Sequence, residues 1–237
     1  MSEEITEPSI QFIKRAELSG PRLGIFASSF NPTTTAHVEL MRRAASCFLL
    51  DETLALAGLA NADKSDYECS LEDRLHMLAL TFAGEQRVSI GVSSHAFFVD
   101  MIDALKTAYP SQTDLHFVVG FDTFERVVDL EERYRLKYHR RFSDRAAALQ
   151  YLLVRSRLVV AGRRGSGEND IRALVERDLK GLAERVSYLD APAEITEMSA
   201  TRVRDRIRAG LAIDGLVPPA VELYIKEKRL YTGDRLG

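Results

Sequence analysis

The sequence predicts an α/β fold: a doubly wound, Rossmann-like parallel sheet with helices on both faces, built as a single domain. Three observations carry that expectation. Six short apolar runs rich in β-branched residues recur 28 to 43 residues apart, start to start. Stretches with helical spacing fill the intervals. The runs are continuous rather than alternating, as strands covered on both faces require.

Taken in order, residues 1–21 read as an N-terminal extension, with Ile10, Ile13 and Ala16 on one helical face, and the domain proper spans 22–237. The first strand is expected at 23–27. Val38, Met41, Ala45 and Phe48 then step by three or four and predict a helix. A second strand at 53–59 precedes Leu71, Leu75, Leu78 and Phe82, another helical stripe. Further strands are expected at 87–92, 115–119, 158–161 and 186–189. Strand and helix in alternation mark crossover units, and such sheets bind ligands at the carboxyl ends of their strands, where strand order reverses. Segments 133–145, crowded with Arg, Lys, Tyr and His, and 162–169, with three glycines, read as irregular insertions, each either solvated or bordering a ligand.

Composition narrows the function. With 32 Lys+Arg against 35 Asp+Glu the net charge is −3, so no general affinity for nucleic acid or an anionic membrane is expected. Any phosphate site must be local. Cys47 and Cys69 cannot build a disulfide framework or a four-thiolate zinc site. His76, His95, His116 and His139 show no metal-binding spacing, and Tyr134, Tyr138 and His139 beside Arg140 and Arg141 read as ordinary packing. The first residues carry Glu3, Glu4 and Glu7, unlike a targeting segment, and Asp51 and Glu52 interrupt the most apolar stretch, 44–60. A cytoplasmic chain is expected, or a nuclear one in a eukaryote. Self-association stays open.

The end of the first strand holds the strongest local signal. Ser28-Ser29-Phe30-Asn31-Pro32-Thr33-Thr34-Thr35-Ala36-His37 places small, donor-rich residues where a strand turns into a helix. Free N–H groups and the positive helix end both favour a phosphate there. The common nucleotide fingerprints are missing: no Lys follows a Gly, and Gly165-Ser166-Gly167 leads to Asp170 where GxGxxG needs glycine.

The nine residues from Ser29 to His37 resemble the SFNPxTxxH turn of nicotinamide mononucleotide adenylyltransferases, nucleotidyltransferases with a [H/T]xxH motif; Thr34 and His37 fall on its two positions. Met198-Ser199-Ala200-Thr201-Arg202-Val203-Arg204 is similar to that family's ISSTxxR motif. Val119-Gly120-Phe121-Asp122 resembles its GxD, the stretch from Phe98 and Asp100 to Leu105 the segment before it, and Leu158-Val159-Val160-Ala161 with Arg163 a later VVxxR strand. A familiar C-terminal helix begins near Val217-Pro218, and the resemblance spans about residues 22–231. Lys137, Tyr138 and Asp144 resemble an insertion in a divergent, adenylyltransferase-like branch.

The resemblance implies adenylyl transfer from ATP, with Mg²⁺, to nicotinamide or nicotinate mononucleotide. The nucleophile is already an anion, so catalysis reduces to positioning two polyanions and stabilising charge on phosphate oxygens. By resemblance, His37 and Thr34 donate to the ATP phosphates, the backbone of Ser28, Ser29 and Phe30 lines the nucleotide cleft, and Ser199, Thr201, Arg202 and Arg204 hold the β- and γ-phosphates. Lys64, Phe98, Asp100, Gly120, Asp122 and Arg163 serve the mononucleotide side. No protein metal site is implied, Mg²⁺ being held through the phosphates.

Plainer readings stand beside these. Asp122 also suits a helix cap, Arg74 a pairing with a nearby Asp or Glu, and Arg202, Arg204, Arg206 and Arg208 a solvated basic stripe. A step of two rotates about 200° on a helix, so Arg204 and Arg208 share one face and Arg202 and Arg206 another. Two departures bear on the substrate: Ser28 stands where many family members have Gly, and the chain has no Trp, leaving Phe97 or Phe98 as the aromatic face for a pyridine ring. The alternatives are another nucleotidyltransferase of this fold, such as one using CTP, or a divergent nucleotide-binding protein that hydrolyses ATP slowly.

Overall fold

The continuous apolar runs become the strands of one sheet. A computed structural model describes residues 7–59, 68–128, 141–162, 167–179 and 181–232. Within them lie β1 Ile10–Lys14, β2 Arg22–Ser28, β3 Glu52–Gly58, β4 Val88–Ser93, β5 Asp114–Gly120, β6 Arg157–Ala161 and β7 Val186–Leu189. Their spatial order is β1-β4-β3-β2-β5-β6-β7. All neighbouring strands are parallel except β1, which runs antiparallel to β4. The sheet grows outward from β2 in one direction and from β5 in the other, so its order reverses between them.

Alternate residues of each strand feed opposite layers. Leu23, Ile25, Leu54, Leu56, Phe117 and Val160 meet the helices α3 Phe98–Ala108, α4 Phe121–Val128, α5 Arg145–Arg155 and α6 Glu168–Asp178. Phe26, Ala55, Ala57, Ile90 and Val159 meet α1 Thr35–Cys47 and α2 Leu71–Thr81 on the other face. After a short α7 at Ala193–Thr196, α8 Ala200–Arg208 and α9 Pro219–Glu227 pack with α2 in a third cluster of Met77, Val203, Val221, Ile225 and Tyr231. That cluster brings the C-terminal segment under the turn that follows β2. No described helix is long and apolar enough to cross a membrane.

The strand reversal opens a crevice. β2 pairs with β3 as far as Ser28↔Ala57, but its pairing with β5 ends at Ile25↔Phe117. The carboxyl ends of β2 and β5 therefore part, with Ser28 on one lip and Gly120 on the other, the place where open α/β sheets take ligands.

The N-terminal expectation is corrected. Residues 10–14 do not form a helical face; they are an edge strand. Ile10 and Phe12 turn inward, with Phe12 edge-on to Tyr109 at 6.0 Å between ring centres. Lys14 donates to the carbonyls of Phe82 and Glu85 just past α2, both at 2.7 Å, where a cation suits the negative helix end. Of the two irregular segments, 133–140 and 163–166 lie outside the described residues. Asp144 caps α5, accepting from the Ala147 N–H at 2.8 Å.

Candidate active site

Thr34 and His37 build the first half of the site between them. Thr34 is the N-cap of α1, and its hydroxyl accepts from the His37 backbone N–H at 3.3 Å. In return the Thr34 N–H donates to His37 Nδ1 at 3.0 Å, with Thr34 Oγ1 2.8 Å from the same nitrogen. This is a capping box in which histidine replaces the usual Glu or Gln. A backbone N–H can only donate, so Nδ1 carries the lone pair and the imidazole proton sits on Nε2. Nε2 lies 3.3 Å from Ser28 Oγ, at the crevice lip. Ser28, where glycine was the family expectation, thus touches the central imidazole.

Desolvation lowers the His37 pKa from 6.5 to about 4, so the ring is a neutral Nε2–H donor at physiological pH. A histidine held neutral by the fold binds fewer protons folded than unfolded. Stability from this group is complete above pH 6.5 and is lost as pH falls towards 4. Imidazole NMR of the ligand-free protein should show His37 as the Nε2–H tautomer, with a midpoint well below 6.5. An Nδ1–H tautomer, or a midpoint at 6.5 or above, contradicts this geometry.

Two buried arginines hold the turn from behind. Arg74, 1% exposed, donates from Nη1 to the Ser29 carbonyl at 2.9 Å and to the Gly58 carbonyl at 3.3 Å. These carbonyls stand at the ends of β2 and β3, so Arg74 ties the two strand ends together. Arg204, 7% exposed, donates to the Asn31 carbonyl at 2.7 Å. Tyr231 O–H donates to Asn31 Oδ1 at 2.8 Å, and the Thr35 N–H to the Leu216 carbonyl at 3.0 Å. Between these anchors Phe30 adopts a left-handed φ of 46° with its ring wholly buried. That conformation costs a non-glycine residue on the order of 1–2 kcal/mol, which ring burial and the anchors offset.

The start of α8 brings up the second motif. Ser199 caps the helix, accepting from the Arg202 N–H at 3.2 Å. Thr201 and Arg202 are exposed. Arg204, expected on phosphate, is bonded instead to Asn31, to Thr201 Oγ1 at 3.3 Å and to Glu68 at 3.0 Å. It joins the two motifs, so the described geometry makes it a positioning residue. Arg208 also reaches Glu68, confirming that Arg204 and Arg208 share a face, whereas Arg206 turns to the Ala212 carbonyl.

On the opposite lip, β5 ends at Gly120 and α4 begins at once, with Asp122 in its first turn. A Cβ built on Gly120 meets nothing within 4 Å, so there is room for a ligand against this backbone. Phe98 packs edge-on against Phe117 at 5.0 Å. Asp100 accepts from Arg141 at 2.8 Å. Burial raises its pKa, against the opposing pull of that guanidinium. Asp100 is thereby tied to the segment before α5 rather than to the lip. Lys64 and Arg163 lie outside the described residues. Sequence reasoning missed the struts Glu68 and Tyr231, whose partners are 136 and 200 residues away; no local spacing carries such a signal.

Comparison with known proteins points the same way. A profile of the cytidylyltransferase-like family matches residues 25–206. A Dehalococcoides mccartyi protein is 29% identical over 216 residues, covering 89% of this chain and 97% of its own length. A Gloeobacter violaceus protein is 30% identical over 221 residues, covering 90% and 97%. Both carry the name "Probable nicotinate-nucleotide adenylyltransferase". Among solved structures, nicotinic acid mononucleotide adenylyltransferase of Plasmodium falciparum complexed with NaAD superposes with a TM-score of 0.66 at 16% identity, covering 91% of this chain and 99% of that one. The same protein complexed with APC gives 0.64 at 15%. At these identities the structural likeness is one of fold.

Proposed function

The chain belongs to the cytidylyltransferase-like family and is an adenylyltransferase forming an NAD precursor; on that premise we propose that its acceptor is nicotinate mononucleotide and that His37 is its central phosphate donor. The observation that carries the role of His37 is the locked Nε2–H at the crevice lip. The acid form of the acceptor is supported by the names of the relatives.

In the reaction a phosphate oxygen of the mononucleotide attacks the α-phosphorus of ATP. The new P–O bond forms as the bond to the β-phosphate oxygen breaks, and pyrophosphate leaves with that electron pair. No proton has to move. His37 donates from Nε2 to phosphate oxygens that gain charge, and because Nδ1 is held by the Thr34 N–H the donor is preorganised. The amino ends of α1 and α8 add their dipoles. Thr201 and Arg202 serve the β- and γ-phosphates, Arg204 fixes both motifs, and Gly120 lets the dinucleotide approach the backbone, with Asp122 accepting from a ribose hydroxyl.

Mg²⁺ fits as a cation carried by the substrate. No three His, Cys, Asp or Glu side chains among the described residues are placed to cage a metal. Triphosphate oxygens would hold it, with the Asp122 carboxylate at the crevice mouth as a hard ligand through water. It would supply charge neutralisation on the leaving phosphates.

Steady-state rates with the acid and amide mononucleotides, and with CTP in place of ATP, test the assignment. The acid with ATP should give the highest kcat/KM; preference for the amide or for CTP would overturn it. Gly120→Ala should keep the wild-type Tm, since its Cβ meets open space, while KM for the mononucleotide rises about 10-fold, ~1.4 kcal/mol. An unchanged KM would remove Gly120 from the site.

A further inference from the structure

A second cavity lies at the opposite end of the sheet, between the β1–β2 connection and the loop from α3 to β5. Its volume is about 310 Å³, and its lining includes Arg15, Ser19, Glu52, Tyr109, Gln112 and Thr113. Glu52 pairs with Leu23 at the amino end of β2. Ser28 closes the carboxyl end of that strand, roughly 16 Å away at about 3.3 Å per residue. The cavity is thus separate from the crevice that holds His37.

Glu52 is the unusual wall. It is 4% exposed, yet Ser89 Oγ and Tyr109 O–H both donate to the same oxygen, Oε1, at 2.6 and 2.7 Å. Oε2 receives no hydrogen bond from the described residues, and it is not among the fully enclosed polar atoms left without partners. It therefore keeps some contact with solvent, and Glu52 lines this cavity. A carboxylate taken this far out of water gains strongly from a donor or a cation at its open oxygen.

Arg15 supplies the opposite charge. Its guanidinium lies 4.0 Å from the ring centre of Phe12 and 4.7 Å from that of Tyr109, and Nη2 donates to the Ala108 carbonyl at 3.2 Å. These contacts hold the planar group in place and leave other N–H donors for a ligand. No described carboxylate forms an ion pair with it. A wall of each sign, with hydroxyl and amide groups between, matches a molecule carrying both charges. The volume falls at the small end of the ligand-pocket range of about 300–1,000 Å³.

We propose that this cavity binds a small zwitterion of amino-acid size, its ammonium on Glu52 Oε2 and its carboxylate on the Arg15 guanidinium. The proposal does not depend on the catalytic assignment.

Isothermal calorimetry on the full chain tests it, with each standard amino acid in turn at millimolar concentration, and with the amine and carboxylic acid that each resembles. At least one amino acid should bind, with its amine and acid counterparts at least 10-fold weaker. Glu52→Gln keeps an oxygen for the Ser89 and Tyr109 hydroxyls, so it should retain wild-type Tm and turnover but bind that amino acid at least 10-fold more weakly. Arg15→Gln should weaken binding likewise. Binding of no amino acid, equal binding to Glu52→Gln, or equal binding of an amine lacking the carboxylate would each overturn the proposal.

Discussion

His37→Ala is expected to lower kcat by about 10²–10³-fold, the usual effect of removing one preorganised donor to a charged transition state. The substitution also deletes the side chain that accepts from the Thr34 N–H, so about 0.5–2 kcal/mol of stability should go with it. A second variant separates the two losses. His37→Glu rebuilds the capping box with the residue type usual at that position and should restore most of the stability, yet it turns a carboxylate towards the phosphates. Its turnover should be no better than that of His37→Ala. Recovery of turnover along with Tm in His37→Glu would make His37 a structural cap and nothing more. Turnover and Tm measured together on the two variants decide this.

The second large effect belongs to Arg74, which touches no proposed substrate atom. Arg74→Met keeps apolar volume in a site that is 1% exposed, but leaves the Ser29 and Gly58 carbonyls without the guanidinium. Each part-buried carbonyl so orphaned costs up to about 1–3 kcal/mol, and in a chain of this size the Tm should drop by on the order of 5–10 °C. The Ser29 end of the phosphate turn is then held less firmly, so KM for ATP should rise even where the variant is fully folded. Arg74→Lys retains a single compact donor group and should fall between. A Tm within a degree of wild type for Arg74→Met would show that the strut carries no weight. Thermal unfolding and ATP-dependent kinetics give both readings.

The fold was legible wherever its cause was local or periodic. Continuous, β-branched apolar runs such as Leu158 to Ala161 suit strands buried on both faces, and the step from Val38 to Met41 to Ala45 suits a helix on such a sheet. The capping pair was legible too: Thr34 and His37 stand three residues apart, the spacing a helix start needs, although the exchange of Glu for His hid its structural half. Residues 10–14 misled because Ile10, Ile13 and Ala16 fit helical spacing, while Ile10, Phe12 and Lys14 fit the alternation of an edge strand equally well. Pairing with β4 decides between them, and a single chain segment does not contain that information. Arg74 was legible only in part, because its sequence neighbours carry no sign of the carbonyls at the ends of two strands to which tertiary packing delivers it. The junction of Arg204, Asn31 and Glu68 joins three distant segments, so it emerges only after folding.

Acceptor-dependent release of pyrophosphate is the most direct test of the central claim. Wild-type protein incubated with ATP and Mg²⁺ should release almost no pyrophosphate alone. On addition of nicotinate mononucleotide it should release one pyrophosphate for each dinucleotide formed. Equal release without the mononucleotide, or ATP bound with neither product appearing, would contradict the account.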